Sequence, residues 1–192
     1  MKLVFATHNR HKVEEVAEIL KGTGLELSTL ADLGFAEDPP ETQDTFEGNA
    51  LQKARFVHER LGLPCIADDS GLEVDALDGR PGVHSKRFTP EATHDANNRR
   101  LLELLDGEGD RRARFRCVIA VVGLGADRTA EGRCEGSIAT APRGTEGFGY
   151  DPLFLPDETP GRSMAELDMQ EKNTISHRGR AFSRLPALLG FD

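Results

Sequence analysis

Two adjacent carboxylates, Asp68 and Asp69, close the short apolar run Pro64-Cys65-Ile66-Ala67 and give way to Ser70-Gly71. The run reads as a buried strand that ends at the acidic pair in a Ser-Gly turn. Carboxylates at the mouth of a strand are held by the sheet, yet they reach water and ligand. A hard cation such as Mg²⁺ takes oxygen ligands of that kind, usually one or two carboxylates completed by substrate phosphates. The same four residues also fit a plain polar turn after a strand, so the rest of the chain has to decide between the two.

With 192 residues the chain is long enough for one domain, residues 1–192, or one domain with two lobes. Its 30% charged and 38% hydrophobic residues are those of an ordinary soluble globular protein. No apolar run approaches the roughly 20 residues that span a bilayer, and Met1-Lys2-Leu3-Val4-Phe5 enters a strand pattern at once, unlike a leader peptide. The cysteines, Cys65, Cys117 and Cys134, lie far apart without metal-type spacing, which fits small buried thiols in a reducing cytoplasm. A net charge of −9 argues against a nucleic-acid binder, but a local basic cluster can still hold a small polyanion.

Such basic residues recur at predicted strand and helix ends. Lys2 to Ala6 reads as a strand, Thr7-His8-Asn9-Arg10-His11-Lys12 follows, and Val13, Val16, Ala17 and Leu20 mark one apolar helix face ended by Gly22 and Gly24. A strand turning directly into a helix presents backbone N–H groups and the positive dipole end to an anion. Leu25 to Thr29 alternates like a strand. An acidic loop over 36–44 leads to a helix in which Phe46, Ala50, Ala54, Val57 and Leu61 repeat at helical spacing, with Lys53 a candidate phosphate contact and Glu41 a candidate cation ligand. Gly79 to Phe88 reads as a loop carrying His84, Lys86 and Arg87, and Asp95 to Leu105 as an amphipathic helix. Ala113 to Leu124 and Thr129 to Ala139 read as a hairpin around Gly125-Ala126-Asp127-Arg128. Early strand–helix alternation with a later hairpin predicts a mixed sheet packed by helices.

Two late segments are unusual. Gly147-Phe148-Gly149-Tyr150-Asp151-Pro152 sets two aromatics and a carboxylate among glycines, either a stacking surface for a flat base or a hydrophobic turn braced by Asp151. Lys172-Asn173-Thr174-Ile175-Ser176-His177-Arg178-Gly179 precedes a final helix with Phe182, Leu185, Leu188 and Leu189 on its apolar face, and Ser176 is its expected N-cap. Lys12, Lys53, Lys172 and Arg178 thus form a candidate basic cluster, and Asp68, Asp69 and Glu41 a candidate metal cluster. Phosphate, Mg²⁺ and a flat ring together make a nucleoside triphosphate.

Taken in order, Thr7–Lys12, Thr45-Phe46-Glu47-Gly48-Asn49-Ala50, Ala67–Leu72, Gly147–Pro152 and Ser176–Gly179 resemble the motifs of the inosine triphosphate pyrophosphatase family, the XTP/dITP diphosphatases. The resemblance runs from residue 3 to about residue 185. It implies a two-lobed α/β fold with an elongated mixed sheet flanked by helices, a nucleotide cleft between the lobes, and a homodimer. It implies Mg²⁺-dependent hydrolysis of ITP, dITP and XTP to the monophosphate and pyrophosphate. Carried over, Thr7, His8, Asn9, Arg10, His11, Lys12 and Lys53 hold the triphosphate, and Asp69 is general base or metal ligand beside Asp68. Ser70 touches substrate, while Phe148, Gly149, Tyr150, Asp151, Lys172, His177 and Arg178 surround base and sugar. The chain departs from the family at His8, where Gly is common, at Pro40-Glu41, where paired acids are common, and at Gly48, where Glu is usual. Glu41 and Glu47 are the residues available to supply the missing acid. Two rivals use the same parts: a pyrophosphatase for modified pyrimidines and a non-catalytic nucleotide sensor.

Overall fold

The computed structural model describes residues 1–191. Six strands form one sheet in the order β2-β1-β3-β4-β5-β6: β1 Lys2–Phe5, β2 Glu26–Thr29, β3 Cys65–Val74, β4 Arg112–Val122, β5 Arg128–Ile138 and β6 Phe154–Pro156. β1 pairs parallel with β2 (Lys2 opposite Glu26) and with β3 (Val4 opposite Cys65). β6 pairs antiparallel with β5 (Ile138 opposite Phe154), so the sheet is mixed, as the alternation predicted. The helices are α1 Arg10–Ile19, α2 Phe46–Leu61, α3 His94–Leu104, α4 Met169–Ile175, α5 His177–Phe182 and α6 Leu185–Leu189. Among the described residues, no helix is long and apolar enough to cross a membrane.

The chain divides into two compact units, the first comprising Met1–Asp69, Cys117–Gly132 and the residues from Arg178 onward, the second Ser70–Arg116 and Arg133–His177. The first has its own core. Leu3 and Phe5 of β1 and Ile66 of β3 pack with Val16 and Leu20 of the α1 segment and with Phe182 and Leu185, and Phe5 meets Phe182 edge-on at 5.6 Å. The core of the second gathers Leu72 and Val74 of β3, Leu101 of α3 with Leu105 just beyond it, Phe115, Ile138, Tyr150, Phe154 and Met164. Each side chain of this size contributes about 1.5–3 kcal/mol on burial.

Four local expectations are corrected. β3 does not stop at Asp68-Asp69 but runs through Ser70 and Gly71 to Val74. It can do so because both carboxylates meet cations, so neither charge forces the chain out to water. On α1, Ala17 is exposed and Glu15 is buried, reversing the apolar-face reading at those two positions. The Gly79–Phe88 stretch includes a 3₁₀ helix, Gly82–Arg87. The final helix is two short ones, α5 and α6, with Pro186 in the first turn of the second. Proline has no N–H to bond the carbonyl four residues back, so an uninterrupted helix would lose a bond there.

Candidate active site

In the first unit, two helix starts aim their polar side chains at β3. Thr7 Oγ1 accepts from the Asn9 N–H at 3.1 Å, and Asn9, the N-cap of α1, accepts from the Lys12 N–H at 3.3 Å. That cap places Lys12 in the first turn and Glu15 in the next, on one face. The Lys12 ammonium meets Asp68 at 2.8 Å. Arg178 of α5 lies 2.5 Å from Glu15 and 3.6 Å from Asp68. At α2 the N-cap Thr45 accepts from the Gly48 N–H at 3.0 Å. Asn49 and Lys53, one turn apart and both buried, then reach Asp69: Asn49 Nδ2 donates to Oδ2 at 3.0 Å and Lys53 Nζ meets Oδ1 at 3.3 Å. Lys53 also meets Glu41 at 2.6 Å.

Successive strand residues point to opposite faces, and this sorts the acidic pair. Asp68 faces Lys12 and Arg178, while Asp69 faces Asn49 and Lys53. Their ionisation is split accordingly. Burial pushes the Asp69 carboxyl above the usual carboxylate range, with Glu41 adding to the rise, and Lys53, Lys12 and Asn49 only partly oppose it. Burial acts the same way on Asp68, but Lys12, Arg178 and Lys53 outweigh it and hold that carboxyl well below the usual range. Burial lowers the Lys53 ammonium, yet Asp69, Glu41 and Asp68 carry it above its ordinary value. Neighbouring carboxyls driven apart in this way are the arrangement that separates a fixed charge from a proton-accepting group.

The basic and acidic clusters expected as separate sets are therefore interleaved. Asp68 is turned away from Glu41 and Asp69, so the three do not converge. Glu41 and Asp69 do converge, on the Lys53 ammonium. That ammonium occupies one oxygen of each, so a hard cation arriving with a phosphate chain would have to use their remaining lone pairs or displace Lys53, with waters and substrate oxygens as its other ligands. Among the described residues no trio of His, Cys, Asp or Glu makes a complete cage. Glu47, the other candidate acid, is exposed and accepts from Thr129 Oγ1 at 3.0 Å. Gly48 is the third residue of α2, where a Glu would reach back to the Thr45 N–H as a capping box.

Of the remaining Thr7–Lys12 residues, His8, Arg10 and His11 are exposed, and the His8 ring nitrogen bonds the Glu37 carbonyl at 3.0 Å. Ser70 is half-buried in β3. Cys117 has its thiol pushed up by burial and by Asp68, as expected of an inert core cysteine.

In the second unit, Asp151 Oδ2 accepts from the Phe148 N–H at 2.8 Å and meets Lys172 at 2.7 Å. The Lys172 ammonium stands 5.1 Å from the Phe148 ring centre. Asp151 packs onto Gly147, whose φ of 73° and missing side chain admit the carboxylate. Tyr150 does not form a stacking surface. Its ring belongs to the second core and its hydroxyl donates to the Ser85 carbonyl at 2.9 Å. Phe148 is half-buried. His177 is buried and stacks on Phe115 at 4.7 Å.

Sequence reading missed Glu15, Asn49, His94 and Asn98. Asn49 carried a signal: it lies one turn from Lys53, already singled out, on the inward face of α2.

A model of the Ham1 family matches residues 3–188, and the chain belongs to that family. A dITP/XTP pyrophosphatase of Thermoanaerobacter sp. (strain X514) is 51% identical over 96% of this chain and 94% of its own. The dITP/XTP pyrophosphatase of Bacillus subtilis (strain 168) is 47% identical over 97% and 96%. Among solved structures, a HAM1 protein from Coxiella burnetii superposes with a TM-score of 0.88 at 40% identity, covering both chains fully (100% and 100%). A nucleoside-triphosphatase / dITP/XTP pyrophosphatase from Mycobacterium abscessus gives 0.76 at 44% identity, over 96% and 98%.

Proposed function

We propose that residues 1–192 act as one Mg²⁺-dependent pyrophosphohydrolase that cleaves dITP, ITP and XTP to the monophosphate and pyrophosphate, clearing them from the cytoplasmic nucleotide pool. The observation that carries this reading is the divided acidic pair: Asp68 fixed as an anion between Lys12 and Arg178, Asp69 buried with its carboxyl raised. A buried carboxylate with raised affinity for a proton is suited to take one from water. Asn49 and Lys53 each use one lone pair of Asp69, one on each oxygen, and leave others for the attacking water's proton.

Water oxygen bonds to the α-phosphorus, its proton passes to Asp69, and the bond to the bridging oxygen breaks with pyrophosphate leaving. Lys12 and Lys53, with Thr7, Asn9 and the exposed His8, Arg10 and His11, bind the triphosphate oxygens. Glu41 and Asp69 would hold Mg²⁺, which supplies charge neutralisation for the phosphate oxygens. Ser70 contacts substrate, Phe148 stacks on the purine, and Asp151, Lys172 and His177 shape the base and sugar site. Arg178, kept cationic by Glu15 and Asp68, donates to the 6-oxo group. A 6-amino group offers no acceptor there, and a buried donor left unpaired costs about 1–3 kcal/mol. Guanine shares the 6-oxo group, so its exclusion calls for a contact at the 2-position. The enzyme acts as a homodimer, checked by sedimentation.

The test is pyrophosphate release from dITP, XTP, dGTP, dATP and dTTP, with Mg²⁺ and with EDTA. Mg²⁺-dependent release concentrated on dITP and XTP is expected. Orthophosphate as product overturns the α-phosphorus mechanism, release from dTTP favours a pyrimidine enzyme, and binding without release makes the protein a sensor.

A further inference from the structure

The segment carrying Phe148 has little regular structure to hold it. Gly147 and Gly149 on either side of the ring have φ of 73° and 66°, and no ladder of strand hydrogen bonds passes through them. One turn bond holds it, the Phe148 carbonyl accepting from the Asp151 N–H at 3.3 Å, and side-chain contacts supply the rest of its orientation. Asp151 supplies one, at the Phe148 N–H. The other comes from α3. His94 Nδ1 accepts from the Gly149 N–H at 3.3 Å, and Asn98 Nδ2 donates to the Gly149 carbonyl at 2.9 Å. His94 and Asn98 are one helical turn apart, so they grip both polar groups of one residue from a single helix face. The His94 ring also stands 6.3 Å from the Phe148 ring, tilted 34°.

Asn98 is half-buried on α3. Its Oδ1 is buried without a hydrogen-bond partner among the described residues, while its amide donates to Gly149. Asn98 also borders an open groove of ≈ 500 Å³ with Leu102, Pro142 and Pro152.

We infer that His94 and Asn98 are positioning residues for purine recognition: they clamp Gly149 and so fix the face that Phe148 offers to the base. This rests on the proposed reading of Phe148 as the stacking ring. The clamp acts on base binding rather than on bond cleavage, because its bonds run to Gly149 beside Phe148.

Steady-state kinetics with dITP should show Asn98→Ala and His94→Phe raising KM about threefold to tenfold with kcat within about twofold of the parent enzyme. His94→Phe keeps a ring beside Phe148 and removes only the acceptor, whereas His94→Gln, which restores an acceptor, should recover most of the affinity. Amide hydrogen exchange without ligand should quicken at Phe148 and Gly149 in both weakened variants. Unchanged KM and exchange, or a fall in kcat alone, overturns the clamp. An inactive parent enzyme sinks the proposed function instead, and exchange together with calorimetric binding of dITP still decides the clamp.

Discussion

The two units handle buried charge in different ways. In the first, Asp68 and Asp69 anchor a network of two ion clusters, Asp68 with Lys12 and with Arg178, which also meets Glu15, and Asp69 with Lys53, which also meets Glu41. In the second, the carboxylate of Asp151 meets the Lys172 ammonium and accepts from the Phe148 N–H. The network sets ionisation, since removing one member leaves others uncompensated. The Asp151 pair sets shape, since its bonds fix where Phe148 lies. Chemistry and recognition thus draw on different physics within one chain.

Variants that strike one unit and spare the other sharpen this contrast. The largest effect belongs to Asp69→Asn, which keeps the Asn49 side of the site filled but removes the proton acceptor. Pyrophosphate release should fall about 10²–10⁴-fold, and near-normal turnover with binding intact breaks the assigned role. Arg178→Met leaves both Glu15 and Asp68 facing a lost cation, and urea unfolding should show a loss of about 3–5 kcal/mol. Lys172→Met takes the ammonium from Asp151, which keeps the Phe148 N–H, so the loss should be smaller; equal losses would erase the distinction between network and pair. Phe148→Ala should raise KM for dITP about tenfold while kcat holds, as base–aromatic stacking is worth about 1–3 kcal/mol.

The acid limb of kcat/KM offers a finer probe. Asp69 works as a carboxylate and burial raises its proton affinity, so activity should be lost as pH falls through a value above the ordinary carboxylate range. Glu41→Gln removes a charge that adds to this rise and should move the limb to lower pH; movement the other way contradicts the assignment. In stability the two carboxyls have opposite signs. Asp68 stabilises above its unfolded pKa, and that support is lost as pH falls through its lowered folded value. Asp69 favours the folded state when protonated, and loses that support as pH rises through its raised value. The smallest effect is Tyr150→Phe. Leaving the buried Ser85 carbonyl one donor short should cost about 1 kcal/mol in thermal unfolding, with KM unchanged, because the Tyr150 ring belongs to the core.

Much of the site was legible because its residues stand beside strong local signals. Lys12 follows a strand and an Asx cap, and Lys53 lies four residues after Asn49 on an apolar helix face. Asp68 and Asp69 close an apolar run. Glu15 was not legible, since a glutamate among exposed positions is ordinarily solvated; only Arg178, which lies 163 residues further along, makes it a buried partner. Tyr150 was misread for the converse reason: glycine-flanked aromatics fit a stacking turn equally well, and the Ser85 carbonyl that claims its hydroxyl is 65 residues away.

The sequence by itself determined the mixed strand–helix order, the family, and the residue types at the site, because periodicity, caps and motif order are properties of neighbours along the chain. The tertiary structure decided which carboxylate faces which cation. It also decided that β3 runs on through the acidic pair and that α3 grips the Phe148 segment. Those outcomes depend on distances between residues far apart in sequence and on burial, which raises one aspartate, lowers the other, and is set only when the helices close over the sheet.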